Sequence, residues 1–158
     1  MKRNLELKFL DESDKVGIYS VQFEGEEHSE FEKFILRHKD DPRYEDDLGI
    51  IFSWIKKVKN SGALERLIRY EGTMKDRVVA PIDASSLRLY CIRINDVILL
   101  LGDGGEKTTR IYQEDEFLNK CVETLQKIDY NIKKREKDKS IKIIGTRLEG
   151  DLSFSINE

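Results

Sequence analysis

Apolar residues recur with two different periods along this chain, and the points where the period changes predict the order of its elements. Residues 5–10 and 16–23 read as short strands. Val16 and Ile18 alternate with Gly17 and Tyr19, Val21 and Phe23 continue the extended pattern, and the polar turn Asp11 to Asp14 separates the two. After Gly25 the period lengthens. Ser29 with Glu32 three residues on forms a capping box, and Phe31, Phe34, Ile35 and His38 lie on one helical face until Asp40-Asp41-Pro42 stops it. A second helix is expected from Asp46-Asp47, with a buried stripe of Leu48, Ile51, Phe52, Ile55 and Val58, extended by Trp54. Asn60-Ser61-Gly62 is its stop. Period two then returns in Leu67 to Tyr70, Asp76 to Ile82 and Leu87 to Ile94. The Asn95-Asp96 pair predicts a tight type I′ hairpin into Val97–Leu101, a run apolar enough for a central strand covered on both faces. Gly102 to Gly105 is expected to end that strand. A long helix is predicted from Asp115 to Lys134 on the stripe Phe117, Cys121, Leu125, Ile128 and Ile132, with a charged tail at 133–139 that is expected to fray. Ile141–Ile144 and Leu152–Ile156 would close a terminal hairpin around Gly145 to Asp151. The sum is one domain over residues 1–158 of α+β class. A helical hairpin near the N-terminus packs on an antiparallel sheet, followed by a long helix and a C-terminal β-hairpin extension.

Composition changes this picture little. Hydrophobic residues make up 39% and charged residues 37% of 158 positions, and the clustering of the apolar ones argues against disorder. No apolar run reaches the ~18 residues of a membrane span, and Met1 to Glu6 carries no apolar leader, so a cytoplasmic protein without a membrane role is expected. Cys91 and Cys121 read as buried thiols rather than a disulfide. His28 and His38, expected at the surface, stand far from both cysteines, so no metal site and no cofactor is predicted. Gly102 to Gly105 lacks the Gly-Lys-Ser/Thr ending of a nucleotide-binding loop.

Net charge is −3, but it is unevenly spread. Residues 1–60 carry 11 cations and 14 carboxylates, whereas residues 127–142 carry 7 cations and 3 carboxylates. Seven cations map to the predicted sheet and its loops: Arg69, Lys75, Arg77, Arg88, Arg93, Lys107 and Arg110. An arginine fork matches phosphate geometry bidentately. Arg88 and Tyr90, two apart on one strand, share a face, where the arginine can hold phosphate and the tyrosine can stack on a base or transfer a proton. The same two residues would equally edge the core, with Arg88 paired to Asp83 or Glu71. Lys107 and Arg110 either border that groove or sit in a solvated loop.

The succession Leu87-Arg88-Leu89-Tyr90-Cys91, Val97 to Leu101, Gly102 to Glu106 and Lys107-Thr108-Thr109-Arg110 resembles the RelE/ParE superfamily of bacterial toxins. There, an arginine-bearing strand is followed by an apolar strand, a short loop, a Lys-Thr segment and a helix. The resemblance spans about residues 16–130, leaving extensions at 1–15 and 131–158. The chain departs from the family in its acidic balance, its length at both ends and the lack of a C-terminal histidine. The resemblance implies the toxin of a toxin–antitoxin pair, neutralised by a cognate antitoxin and acting on mRNA, with or without the ribosome, as an endoribonuclease, or on DNA gyrase as in the ParE branch; RNA cleavage would be metal-independent, because the chain offers no ligand cluster. It implies Arg88, Tyr90 and Lys107 as catalytic residues and Arg77, Arg110 and Arg69 as substrate-binding ones. A non-catalytic protein-binding module on the same scaffold is the rival expectation.

Overall fold

A computed structural model describes residues 1–73, 75–83 and 85–158. Strands come first. β1 (Lys2–Glu12) and β2 (Gly17–Phe23) form an antiparallel hairpin, and only then do α1 (Glu30–His38) and α2 (Glu45–Ser61) follow. Four strands come next: β3 (Ile68–Tyr70), β4 (Val78–Pro81), β5 (Leu87–Asn95) and β6 (Ile98–Glu106). The chain ends with α3 (Glu116–Lys137), β7 (Ile141–Ile144), β8 (Arg147–Gly150) and β9 (Ser153–Asn157). Seven strands make one sheet in the order β3-β4-β5-β6-β2-β1-β9, and β7-β8 form a separate ribbon.

The α+β class stands, but the expected antiparallel sheet behind a leading helical hairpin does not. The sheet is mixed, because β2 runs parallel to β6 from Gly17↔Ile98 to Ser20↔Leu101. The segments read as extensions, residues 1–15 and 131–158, supply β1 and β9 to that same sheet. The central position of β6 follows from its alternation. Leu99 and Leu101 enter the core under α1 and α2 with Phe34, Ile51 and Trp54, while Ile98 and Leu100 enter the core under α3 with Val122, Leu125 and Ile128. At ~25 cal/mol per Å² of buried apolar surface, a strand apolar on both faces is stable only between two covering layers.

Several boundaries differ for local reasons. The β5–β6 turn is Asp96-Val97, one residue later than expected. It is not type I′, which needs positive φ at both central residues; among the described non-glycine residues only Lys139 has one. Instead the Asn95 side-chain oxygen accepts from the backbone N–H of Val97 at 2.9 Å and of Ile98 at 3.0 Å. Gly102 to Gly105 does not end β6; the strand runs through it. A Cβ at Gly104 would stand 1.8 Å from the Arg88 carbonyl oxygen, so glycine permits close strand approach there. Leu89 pairs with Gly104 and Cys91 with Leu101, which leaves one extra β6 residue opposite Tyr90. The terminal hairpin is also reassigned. Gly145 at φ +61 allows a tight turn, so Arg147–Gly150 pairs with β7, and Ser153–Asn157 instead edges the sheet against β1.

On the helices most of the expected stripe is buried, at Leu48, Ile51, Trp54 and Val58 of α2 and Leu125, Ile128 and Ile132 of α3, and the departures are confined to the first turns of α3 and to Phe52. Leu118 and Val122 are buried on α3, Cys121 is only half-buried, and Phe117 is 48% exposed. Phe52 on α2 is likewise 48% exposed. His38, expected at the surface, is buried against Phe34 and Tyr44, and its Nδ1–H donates to the Phe34 carbonyl at 2.7 Å. The 133–139 tail is helical to Lys137 rather than frayed, tied by Glu136 to Arg77 and by Arg135 stacked over Phe154. The Ser29 capping box forms as expected. Ser29→Ala is expected to lower stability by about 1 kcal/mol in denaturant unfolding.

Candidate functional site

The open end of the α3-facing side of the sheet gathers two arginines, two tyrosines and a glutamate. Tyr90 enters the core under α3, and Arg88, two residues earlier on β5, faces the same way. Arg69 on β3 lies opposite Ala80 of β4, which also enters that core, so Arg69 shares the face. Glu71 follows at the end of β3, and Tyr112 arrives from the 3₁₀ turn Tyr112–Glu114 between β6 and α3. Tyr112 packs edge-on to Tyr90 with ring centroids 6.0 Å apart.

The electrostatics single out Arg88. It is half-buried and, among the described residues, makes no ion pair within 4 Å and no side-chain hydrogen bond. Neither expected partner serves it: Asp83 pairs with Lys57 at 3.0 Å, and Glu71 pairs with Arg69 at 3.3 Å. Burial first, and then the positive charge of Arg69, push the Arg88 pKa down. The Arg69 Nε is buried without a hydrogen-bond partner among the described residues. An unmade hydrogen bond at a buried donor costs about 1–3 kcal/mol, so Arg69, although paired with Glu71, lacks an acceptor at its Nε, and Arg88 lacks a counter-charge within 4 Å among the described residues. An anion between the two guanidiniums would serve both.

Both phenols are held neutral. Burial, then the Glu71 carboxylate, raise the Tyr90 pKa; burial, then Asp76 and Glu71, raise that of Tyr112. A neutral phenol beside a carboxylate can donate a proton and is poorly suited to accept one. The Tyr90 ring is only 1% exposed, which leaves no face free for stacking on a base; of its two expected roles, proton transfer fits.

The other expected site residues separate into two groups. Lys107 lies beside the site: its backbone N–H donates to the Ser86 carbonyl at 2.8 Å, and it is half-buried, two residues beyond Gly105, which pairs with Arg88. Arg110 is 86% exposed, 3.7 Å from Glu114, and is not brought to the arginine pair. Arg77 is committed elsewhere. Its Nε donates to the buried Asp129 at 2.7 Å, and its guanidinium also reaches Glu136 and the Ile94 carbonyl. It serves as a clamp between β4 and α3 rather than as an open phosphate ligand. Glu71 and Tyr112 enter the site without having been read as functional. Glu71 does carry a signal, at alternate spacing from Arg69. Tyr112 carries none, because its place depends on how an irregular segment crosses the sheet.

Among the described residues there is no group of three or more His, Cys, Asp or Glu side chains placed to hold a metal, and no helix is long and apolar enough to cross a membrane. Comparisons with known proteins find no matching family model, no matching curated protein and no matching solved structure.

Proposed function

We propose that this chain is a RelE/ParE-like toxin that cleaves RNA without a metal, in the cytoplasm, and is held inactive by a cognate antitoxin protein. The single observation that carries the reading is Arg88, a half-buried guanidinium beside a second arginine and without an acidic partner within 4 Å among the described residues. That arrangement costs stability unless an anion completes it. In this reading Arg88 and Arg69 grip the scissile phosphate, and Lys107 adds charge at the rim. Glu71, 3.3 Å from Arg69, takes the proton from the ribose 2′-OH as that oxygen attacks phosphorus. The P–O5′ bond breaks, and Tyr90 or Tyr112 gives the leaving oxygen its proton, leaving a 2′,3′-cyclic phosphate. The cations stabilise the crowded, negative phosphorane. The mRNA, free or on the ribosome, is the proposed substrate, and Arg69, Arg88 and Lys107 are the proposed contacts.

The test is induced expression in a bacterial host. Wild type is expected to arrest growth, and Arg88→Ala and Glu71→Gln are expected to relieve the arrest at equal protein level. Unimpaired growth with wild type, or arrest by both variants, would reject the reading. The burial of the Tyr90 ring favours a second reading, in which the arginine pair binds an acidic segment of a partner without chemistry. RNA left intact by purified protein that still binds such a peptide would select it.

A further inference from the structure

One edge of the large sheet is left open. β9 is the last strand in the order and pairs only with β1. Bonded and non-bonded residue pairs alternate along an antiparallel ladder, and two hydrogen bonds fix the phase here. The Leu7 N–H donates to the Leu152 carbonyl at 2.8 Å, and the Glu158 N–H donates to the Met1 carbonyl at 3.0 Å. With Leu5 opposite Phe154 and Arg3 opposite Ile156, the backbone groups of Phe154 and Ile156 turn toward β1. Those of Ser153, Ser155 and Asn157 turn away from it, and among the described residues nothing bonds them.

Open edges are normally guarded by charge, proline, a bulge or brevity. The opposite edge, β3, is three residues long and carries Arg69, paired with the next-but-one residue Glu71 at 3.3 Å. β9 has none of these guards. Ser153-Phe154-Ser155-Ile156-Asn157 holds no charge and no proline, and its register against β1 is unbroken over five pairs. Phe154 and Ile156 anchor the strand in the core under α3.

The edge is also complementary to itself. A second β9 laid antiparallel, with Ser155 opposite the partner's Ser155, sets Ser153 opposite the partner's Asn157. All three outward residues then fall in bonded pairs. A register centred on any other residue of the strand leaves at least one of them without a partner in it. The two-fold axis stands perpendicular to the sheet, so both α3 helices lie on the same side of the joint. Tyr130, 69% exposed, lines the groove between α3 and β9 with Ser155 and Ile156, and brings an aromatic ring to that side. Cations and carboxylates nearly balance in the groove, where Lys127 and Lys134 stand with Glu123 and Asp138. An isologous contact needs both signs on one patch.

We propose that two copies of this chain join edge to edge through β9, with Ser155 on the two-fold axis and the two seven-stranded sheets made continuous. The joint lies at the opposite end of the sheet from Arg69 on β3, so it leaves the arginine site of each copy open and stands whether or not that site performs chemistry.

Sedimentation equilibrium of the full chain over a range of micromolar concentrations is the test. Wild type is expected to give twice the 18.5 kDa of one chain. Ser155→Pro is expected to give a monomer with unchanged circular dichroism, because the N–H it removes points away from β1 and proline is tolerated at such an edge. Two further variants alter only the exposed side chains of Ser153 and Asn157, so they decide the matter even if the proline variant misfolds. Ser153→Lys with Asn157→Lys sets lysine opposite lysine twice across the axis and is expected to weaken the dimer at least about tenfold. Ser153→Lys with Asn157→Glu sets opposite charges there and is expected to keep the dimer. The proposal is overturned if wild type is a monomer at every concentration, which would leave the edge to a strand of another protein. It is overturned equally if a folded Ser155→Pro or the two-lysine variant dimerises as tightly as wild type, or if the lysine–glutamate variant is as weak as the two-lysine one.

Discussion

Arg88→Ala is expected to slow RNA cleavage by purified protein by about 10²–10³-fold while leaving the melting temperature unchanged or raised. The rate estimate is the usual cost of removing one preorganised group that stabilises developing negative charge. The stability estimate follows from the surroundings. Burial and Arg69 both disfavour the charged form of Arg88, and no described carboxylate offsets them within ion-pair distance, so deleting the guanidinium removes repulsion and breaks no pair. Residues kept at a cost to stability are a common mark of function. Lys107→Ala is expected to act in the same direction and more weakly, since Lys107 lies at the edge of the pair. Cleavage that resists EDTA accompanies this mechanism. A lowered melting temperature with unchanged cleavage in Arg88→Ala would assign the residue to the framework and reject the mechanism.

The second large effect concerns Asp129→Ala, which is expected to destabilise the chain by about 3–5 kcal/mol. Asp129 is only 1% exposed. It accepts from the Arg77 Nε at 2.7 Å and from the Arg77 backbone N–H at 3.0 Å, and Lys133 lies 3.4 Å away. Removing the carboxylate leaves the Arg77 Nε and its backbone N–H without an acceptor at the junction where β4 meets α3, with Glu136 and the Ile94 carbonyl still on the other guanidinium nitrogens. Thermal unfolding is expected to show a fall of about 10 °C, given the usual 2–4 °C per kcal/mol for a chain of this size. The double variant Arg77→Met, Asp129→Leu is expected to recover most of the loss, because replacing both partners of a buried pair with apolar groups is often near neutral. If the single variant unfolds like wild type, the clamp contributes nothing and Arg77 is again open as a phosphate ligand.

The two predictions rest on arginines that look alike in sequence. Arg77 adjoins the apolar run Val78 to Ala80 and Arg88 stands between Leu87 and Leu89, and local pattern places both on the sheet. Their fates diverge through residues far along the chain: Asp129, 52 positions from Arg77, neutralises it, whereas Arg88 meets only Arg69 and a Glu71 that Arg69 already holds. Ion pairing between distant segments leaves no periodic trace in a sequence, so no reading of Arg77 alone separates a clamp from a ligand. Tyr90 is a related case. Its spacing from Arg88 correctly puts the two on one face, but the depth of its ring under α3 depends on how Leu118, Val122 and Tyr112 pack. That depth removes stacking from its possible roles.

What the sequence determined by itself is the set of elements whose signals are local. The Ser29 capping box, the Gly62 stop and the unbroken apolar run of β6 each follow from short-range hydrogen bonding or from apolar periodicity, and those forces act within a few residues. Tertiary structure alone decided the parallel pairing of β2 with β6, the capture of β9 by β1, the passage of β6 through its glycines against β5, and the meeting of Arg69, Glu71, Arg88 and Tyr112. Each of these depends on which distant surfaces bury the most apolar area together. Many pairings satisfy the same local pattern, and only the packed whole selects one.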